Sequence, residues 1–599
     1  MKLSSTFSLP NLALSAMFLL ISAVSRPCVA NATSISVNNA SDVPVVGLCN
    51  LRQAIVSHNE KAYVFPSSCA VGNGDDTIYL NVVGDTIDLG SPLNPIENGR
   101  LLIIPGAAHR GCLNLRQAAY ITVRKGATLN LADISIVVNG AEPRSIIDND
   151  GGTLGISHGN HACVFSNQSG KVRKTSLGGV LHNRNGGFAR IDANFENNSA
   201  GDKGGAIYVD SGTVEIGQAS ILGSTSSLKG NNSNQGGAIY VNSGTLSIEG
   251  GTSFNGNSSN QGGAIYVNSG TVTIVGGEFS GLTAFEHNSS NQGGAIYVNA
   301  GATLNVASND FAFVSNRADG GGGGIYSNGG NVAVMPTAPL RSASIRSNSS
   351  VTGAAIYAAG GQLSLNRAEI NNNRSSGSGG AIVVSDIKPP TPALITRSYF
   401  HDNSAGVNGG ALYALDGSTL NVSASTFTRD RASGLGGGIY ADTLSNLNIL
   451  NSTFLGGVNR EGIVVASGLG NVVFSTIVGG TLGVGSTPTT HLSNSILREV
   501  TCAAIVDEGL NLQFQSTGCP VSVPSTNPLL DGRFLEDNGG PTPTIALLPG
   551  SPAINAIAIG DCVDQNNNPV KTDQRGFGRP DPADPGHCDI GAYEFGATH

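Results

Sequence analysis

Asp402, Asp430 and Asp442, with Arg429 and Arg431 flanking the second of them, are the residues of this chain best suited to bond-breaking chemistry. Their spacing suits consecutive turns of a coiled chain. Grouped carboxylates with a cation nearby would serve a polysaccharide lyase or glycoside hydrolase: a carboxylate holds Ca²⁺ or acts as acid or base, and the cation assists proton abstraction. Such a site needs its acids clustered, whereas Asp310, Asp319 and Asp416 are scattered in the manner of solvated turn residues. No recognisable catalytic site emerges, and Asp402, Asp430, Asp442 and Arg429 stand as the enzymatic alternative to a binding protein.

Binding chemistry has a more regular signature. Tyr208, Tyr240, Tyr266, Tyr297, Tyr326, Tyr357, Tyr413 and Tyr440 each follow an aliphatic residue by one position, and Val383 interrupts the series. Period-two alternation turns them away from whatever the aliphatic residue packs into, forming an outward aromatic ladder. Such a ladder either stabilises its sheet by stacking or offers a strip for glycan or protein.

Metal and cofactor chemistry have little support. Gly72-Asn73-Gly74-Asp75-Asp76-Thr77-Ile78-Tyr79 matches one copy of a calcium-binding nonapeptide whose ions lie between successive copies. One copy completes no site, so a Gly-Asp turn leading into the first strand is the expectation. His58, His109, His158 and His161 show no ligand spacing, and no cofactor is expected.

The opening residues read as a secretory signal peptide over 1–30: Lys2, an apolar stretch from Leu12 to Ile21, and Ala30 before the cleavage point. The stretch is too short to be a retained membrane span, and Arg26-Pro27-Cys28 is no lipoprotein box. The mature chain is expected to be exported to the cell surface, outer membrane or periplasm, with no transmembrane segment. It keeps Cys49, Cys69, Cys112, Cys163, Cys502, Cys519, Cys562 and Cys588, all near the two ends. An even number in an exported chain suggests disulfides, with neighbours paired as 49 with 69, 112 with 163, 502 with 519 and 562 with 588. Zinc is disfavoured because no Cys-x-x-Cys occurs.

What must position these residues is set by composition and repetition. Of 599 residues 83 are Gly, none is Trp and only 12% are charged, which favours short strands and tight turns over helices. The net charge of -9 and the lack of any Lys or Arg run make nucleic acid and anionic lipid poor partners.

Gly-Gly-Ala-Ile-Tyr-Val stands at 204–209, 236–241, 262–267 and 293–298, with relaxed versions at 322, 353, 379, 409 and 436. Between copies lies an apolar residue with Asn three places later, as in Phe254/Asn257 and Phe285/Asn288, and Phe427/Asp430 ends the series. A period of roughly 26 to 32 residues indicates a solenoid. The expected fold is all-β, a right-handed parallel β-helix of the pectate-lyase-like kind, of about a dozen coils stacked at about 4.8 Å. Ile207, Ile239, Ile265 and their equivalents would form an aliphatic file, the Phe residues an aromatic one, and the Asn residues a hydrogen-bonded one.

From the Phe slot to the next Ile slot the spacing is 11 or 12, whereas from Ile to Phe it varies between 14 and 21. Insertions, among them Pro336–Pro339 and Lys388-Pro389-Pro390-Thr391-Pro392, are therefore expected on one loop-bearing side. The ends of a solenoid need capping, and the cysteine-bearing ends suit that task. Leu51, Ala54 and Ile55 have the spacing of a short amphipathic helix for the first coil.

The alternation over 195–440 resembles the polymorphic outer membrane protein repeat of bacterial surface adhesins, which implies a β-helix displayed at the cell surface and often adhesive. Cys49-Asn50-Leu51-Arg52-Gln53-Ala54 is similar to the CSLREA domain, with Asn50 and Gln53 in place of its Ser and Glu. Asn538-Gly539-Gly540-Pro541-Thr542, Thr572-Asp573-Gln574-Arg575-Gly576 and Cys588-Asp589-Ile590-Gly591-Ala592-Tyr593-Glu594 resemble the choice-of-anchor Q domain. The resulting plan is a signal peptide at 1–30, a CSLREA-like cap with the first strands at 31–100, the β-helix at 101–500 and a choice-of-anchor Q-like cap at 501–599. The leading expectation is an adhesin-like protein binding glycan or a cell-surface protein without catalysis. The alternatives are a lyase or hydrolase of acidic polysaccharide and a structural component of the cell envelope.

Overall fold

The computed structural model describes residues 32–597 apart from 83–85, 90, 107–112, 117–119, 139–144, 158–163, 168–176, 218–225, 277–280, 337–343, 443, 457–461, 466–467, 485–488 and 533. The expected signal peptide, the expected pair Cys112 and Cys163, and His109, His158 and His161 lie outside the described residues.

Short segments alternate inward apolar and outward polar residues, as in Thr245–Ile248, where Leu246 and Ile248 are fully buried. None is long enough to make a core alone. Each pairs in parallel with its equivalent one coil away, Thr245 to Thr271 through Ile248 to Ile274, and the chain winds right-handed, the hand that parallel crossovers take. One coil crosses three long sheets in turn: a first through Thr245–Ile248, a second through Ser253–Asn255 and a third through Ile265–Val267. A fourth, six-stranded sheet of two-residue strands lies between the second and third.

Among the described residues the first sheet has eighteen strands, since coils at both ends keep the pleat without the Gly-Gly-Ala-Ile signature. It starts at Thr33–Val37, so the Gly72–Asp76 turn leads into its second strand, Asp75–Leu80, and not the first.

Ile239 lies directly over Ile265, and both are fully buried within the aliphatic file. In the second sheet Phe254, Phe285 and Phe313 stack with centroids 4.5 and 4.8 Å apart and planes within 7°. The hydrophobic files are thus buried and continuous. The Gly pair is dictated by geometry: Gly236 has φ +64°, and a Cβ on Gly237 would stand 2.1 Å from the carbonyl oxygen of Gly263.

The insertions leave the rod at two corners and not one. Met335 and Pro336 follow a first-sheet strand and precede the second-sheet strand Ser344–Arg346, whereas Lys388–Pro392 joins the third-sheet strand Ile382–Ser385 to the first-sheet strand Ala393–Thr396. The variable stretch between the Ile and Phe slots contains a whole first-sheet strand, so it has a turn at each end.

Helix α1, Leu51–Glu60, packs on the first coils with Leu51, Ala54 and Ile55 buried. Asn50 and Gln53 form its capping box, the Gln53 amide donating to Asn50 Oδ1 at 2.9 Å. The bridges Cys49–Cys69, Cys502–Cys519 and Cys562–Cys588 are formed. Cys502 occupies the last place of the aliphatic file, above Leu482, so its disulfide pins Cys519 onto that end.

The C-terminal stretch caps less of the end than expected. Ser525 bridges the last second-sheet strand at Gln513, but the chain then folds back along the flank of the rod. Thr426, Thr453 and Thr476 form an outward column of the second sheet. Thr426 Oγ1 donates to the Pro543 carbonyl, Thr453 Oγ1 donates to Gln574 Oε1, both at 2.6 Å, and the Ala592 amide donates to Thr476 Oγ1 at 3.0 Å. Around these contacts Phe474, Val478 and Ile496 of the rod share an apolar cluster with Ile545, Leu547, Ile557 and Ile590.

Candidate functional site

The Asn files of the repeat run through the rod as a one-way chain. Asn231 Nδ2 donates to Asn257 Oδ1 at 2.9 Å and to the Phe195 carbonyl at 3.0 Å, and the Asn231 amide donates to the same Asn257 oxygen. The pattern repeats coil by coil through Asn288, Asn316, Asn348, Asn373 and Asn403. It ends at Asp430, whose Oδ1 accepts from the Asn403 amide at 2.9 Å and Nδ2 at 2.8 Å. Asp430 is 2% exposed. A chain of donors needs only an acceptor at its end, and a carboxylate supplies one.

The three candidate catalytic aspartates are therefore not brought together. Asp430 is inside the rod. Asp402 stands at the corner after the second sheet, held by Arg429 through two bonds of 2.8 and 2.7 Å. Asp442 follows a third-sheet strand, accepts from Ser445 at 3.0 Å and stands near Asp416. Arg431 is exposed on the fourth sheet. Asp402 instead joins a network that the sequence reading did not assemble: His401 Nδ1 lies 2.7 Å from Asp402 and Nε2 lies 3.0 Å from Glu369. Burial presses the His401 pKa down, but the bonds to Glu369 and Asp402 outweigh it and raise the value. The Arg429 bond lowers Asp402 to about 2, against the opposing effect of burial. Glu369, His401 and Asp402 clamp adjacent coils together.

His58 also has a defined place. It is fully buried, with Nδ1 2.7 Å from Asp76 Oδ2 and Nε2 3.0 Å from the Asn98 carbonyl, and Asp76 further accepts from the Asn73 and Gly74 amides. The carboxylate of the nonapeptide-like turn is thereby spent on joining α1 to the first coils. Among the described residues no group of three or more potential metal ligands is gathered.

The tyrosines do stack coil on coil, with Tyr240 to Tyr266 at 5.0 Å and Tyr266 to Tyr297 at 4.9 Å. Their surroundings divide them. Tyr208, Tyr240, Tyr266 and Tyr297 are only 3 to 5% exposed, whereas Tyr326, Tyr357, Tyr413 and Tyr440 are half-buried. Lys203 lies 4.8 Å over the Tyr240 ring, and Gln235 bonds to the Tyr266 side chain. Burial, and then the neighbouring phenols, pushes the Tyr266 and Tyr326 hydroxyls up to about 12.

The open surface is the fourth face, beside the Gly pairs. An axial groove of about 430 Å³ crosses five coils there, lined in order by Gly201, Asn232 to Asn234, Ser258 to Asn260, Ser289 to Asn291, and Arg317 with Asp319. By strand spacing it is about 20 Å long. Its walls are hydroxyls and amides, and Ser290, 7% exposed, has a hydroxyl without a hydrogen-bond partner. The signal lay in the sequence as Asn-Ser-Asn-Gln and Ser-Ser-Asn-Gln immediately before the Gly pairs. Their polar side chains share a face because the ladder Asn before them points inward.

Comparisons with known proteins agree with the winding. A right-handed β-helix region model matches residues 323–501, and the chlamydial polymorphic membrane protein repeat model matches 192–210 and 251–268. No curated protein and no solved structure matches the chain. No helix of the described residues is long and apolar enough to cross a membrane.

Proposed function

We propose that the chain is an exported, surface-associated adhesin-like β-helix protein that binds a glycan or a cell-surface protein along the fourth face of its rod. The observation carrying this reading is the polar groove from Gly201 to Asp319, an extended and repetitive set of hydroxyl and amide groups on a rigid scaffold. Similarity to the chlamydial polymorphic membrane protein repeat supports a place at the outer membrane. In this reading 31–100 is a CSLREA-like closure of the first coils, and 501–599 is a choice-of-anchor Q-like region that meets the last coils and lies along the flank of the rod.

Binding here needs no catalysis, since a row of equivalent groups gives many weak contacts that add along a polymer. The test is a glycan array and a cell-surface binding assay with the mature chain and a Ser289→Trp variant. Retention that the bulky side chain abolishes is the expected result. Retention unaffected by Ser289→Trp, or no retention on either surface, overturns the assignment.

A further inference from the structure

The residue that follows each ladder Asn faces outward on the fourth sheet. Parallel pairing sets Ser289 against Arg317, Arg317 against Ser349, Ser349 against Arg374, Arg374 against Ser404 and Ser404 against Arg431. The column below is Asn232, Ser258 and Ser289, which line the groove. Arginine thus recurs on every second coil, at intervals of about 10 Å set by two strand spacings. Arg317, Arg374 and Arg431 are all exposed. Arg317 closes the groove, and the other two continue its line.

We infer that this face takes a linear acidic polysaccharide, one whose alternate sugars carry a carboxylate or sulfate, laid parallel to the rod. The inference rests on the binding reading above and deepens it by naming the ligand class. A guanidinium meets either oxyanion through two parallel hydrogen bonds, which lysine cannot do. Alternating Arg and Ser matches a polymer that alternates charged and neutral sugars, with one sugar for each coil. Asp319 lies 2.8 Å from Arg317, but the two side chains are 62% and 71% exposed, so the pair costs little to exchange for a ligand anion. The full sequence carries -9, so these three residues form a basic line on an acidic chain. Single-stranded nucleic acid would need exposed rings for its bases; Tyr240, Tyr266 and Tyr297 on the groove's coils are covered, whereas Tyr326 and Tyr440, on the coils of Arg317 and Arg431, are half-buried, so oligothymidine is an arm of the test.

The test titrates the full mature chain with hyaluronan, which bears a carboxylate on alternate sugars, with neutral dextran of similar length, and with single-stranded oligothymidine. Hyaluronan alone should bind, more weakly as salt rises. Arg374→Gln should weaken it about tenfold, and replacing all three arginines should abolish it. The paired exchange Ser349→Arg with Arg374→Ser keeps the net charge but breaks the alternation, and should weaken hyaluronan as well. A chain that carries sulfate on alternate sugars and no carboxylate, kappa-carrageenan, tells whether carboxylate or sulfate is preferred. These positions are surface ones, and an unchanged thermal midpoint controls for folding. Dextran or protein binding that Ser289→Trp blocks and the arginine variants leave alone would overturn this inference while sparing the wider reading. Arginine-dependent oligothymidine binding of equal strength would overturn the ligand class, and no binding to this face at all would remove both.

Discussion

Asn403 Nδ2 donates to Asp430 Oδ1 at 2.8 Å, and there the inner amide chain of the rod stops. Both residues are buried, so truncating the acceptor strands two donors of Asn403 at once. Asp430→Ala should therefore lose stability by about 1–3 kcal/mol for each stranded donor. Asp430→Asn, which keeps the acceptor oxygen, should lose much less. Chemical denaturation of the two variants measures the difference. An Asp430→Ala protein as stable as the parent would refute the ladder role, and one that kept its fold yet lost cleavage of an acidic polysaccharide would restore the lyase reading.

A pH dependence follows from His401. Its pKa is raised above the ordinary 6.5 by Glu369 and Asp402, so its stabilising contribution is complete below pH 6.5 and is lost as pH climbs through the raised value. Glu369 and Asp402 have lowered values, so their share is present above the ordinary carboxylate range and is lost only on strong acidification. Thermal midpoints measured upward from pH 6.5 should fall more steeply in the parent than in His401→Gln. Parallel curves for the two proteins would sink the idea.

Much of this was legible beforehand because it is periodic. Ile239 over Ile265 and Phe254 over Phe285 follow from a spacing that repeats, and a solenoid converts a sequence period directly into contact. Contacts without a period were not legible. Gln574 reaches Thr453 across 121 residues, and no pattern in either segment announces the other. The line of Arg317, Arg374 and Arg431 was not legible because serines stand at the coils between them, so no basic run exists until register is known. Alternation turned Tyr266 outward but is silent about what lies over it. Asp430 had two readings, acid beside arginines and last member of the Asn series, and only the inward direction of that series decides between them.

One buried amide gathers several of the contacts between the C-terminal flank and the rod. Gln574 Nε2 donates to Thr426 Oγ1 at 2.7 Å and Thr542 Oγ1 at 3.0 Å while its oxygen accepts from Thr453. Gln574→Ala should cost on the order of 1–3 kcal/mol and loosen the flank before the rod, since the coils keep their own ladders. Limited proteolysis should then release the residues after 526 faster than in the parent, leaving a resistant rod. Equal digestion rates would show that the apolar cluster around Phe474 and Ile590 holds the flank alone.

The tyrosine file can be divided by substitution into what supports the sheet and what remains for a ligand. Tyr266 is 5% exposed between two rings at 5.0 and 4.9 Å, so Tyr266→Ala removes a buried aromatic and should cost about 3–5 kcal/mol. Tyr413 is half-buried, with one ring neighbour, Tyr440, at 5.5 Å, and lies beyond the Val383 gap. Tyr413→Ala should cost distinctly less, because fewer contacts are lost and the space opens to water. If binding along the rod uses aromatic rings, it is the half-buried Tyr326, Tyr357, Tyr413 and Tyr440 whose replacement should reduce it, while Tyr266→Phe changes neither stability nor binding by much. Denaturation midpoints with glycan retention measured on the same variants separate the two effects. A Tyr266→Ala protein as stable as Tyr413→Ala would mean that stacking within the file contributes little to holding the coils together.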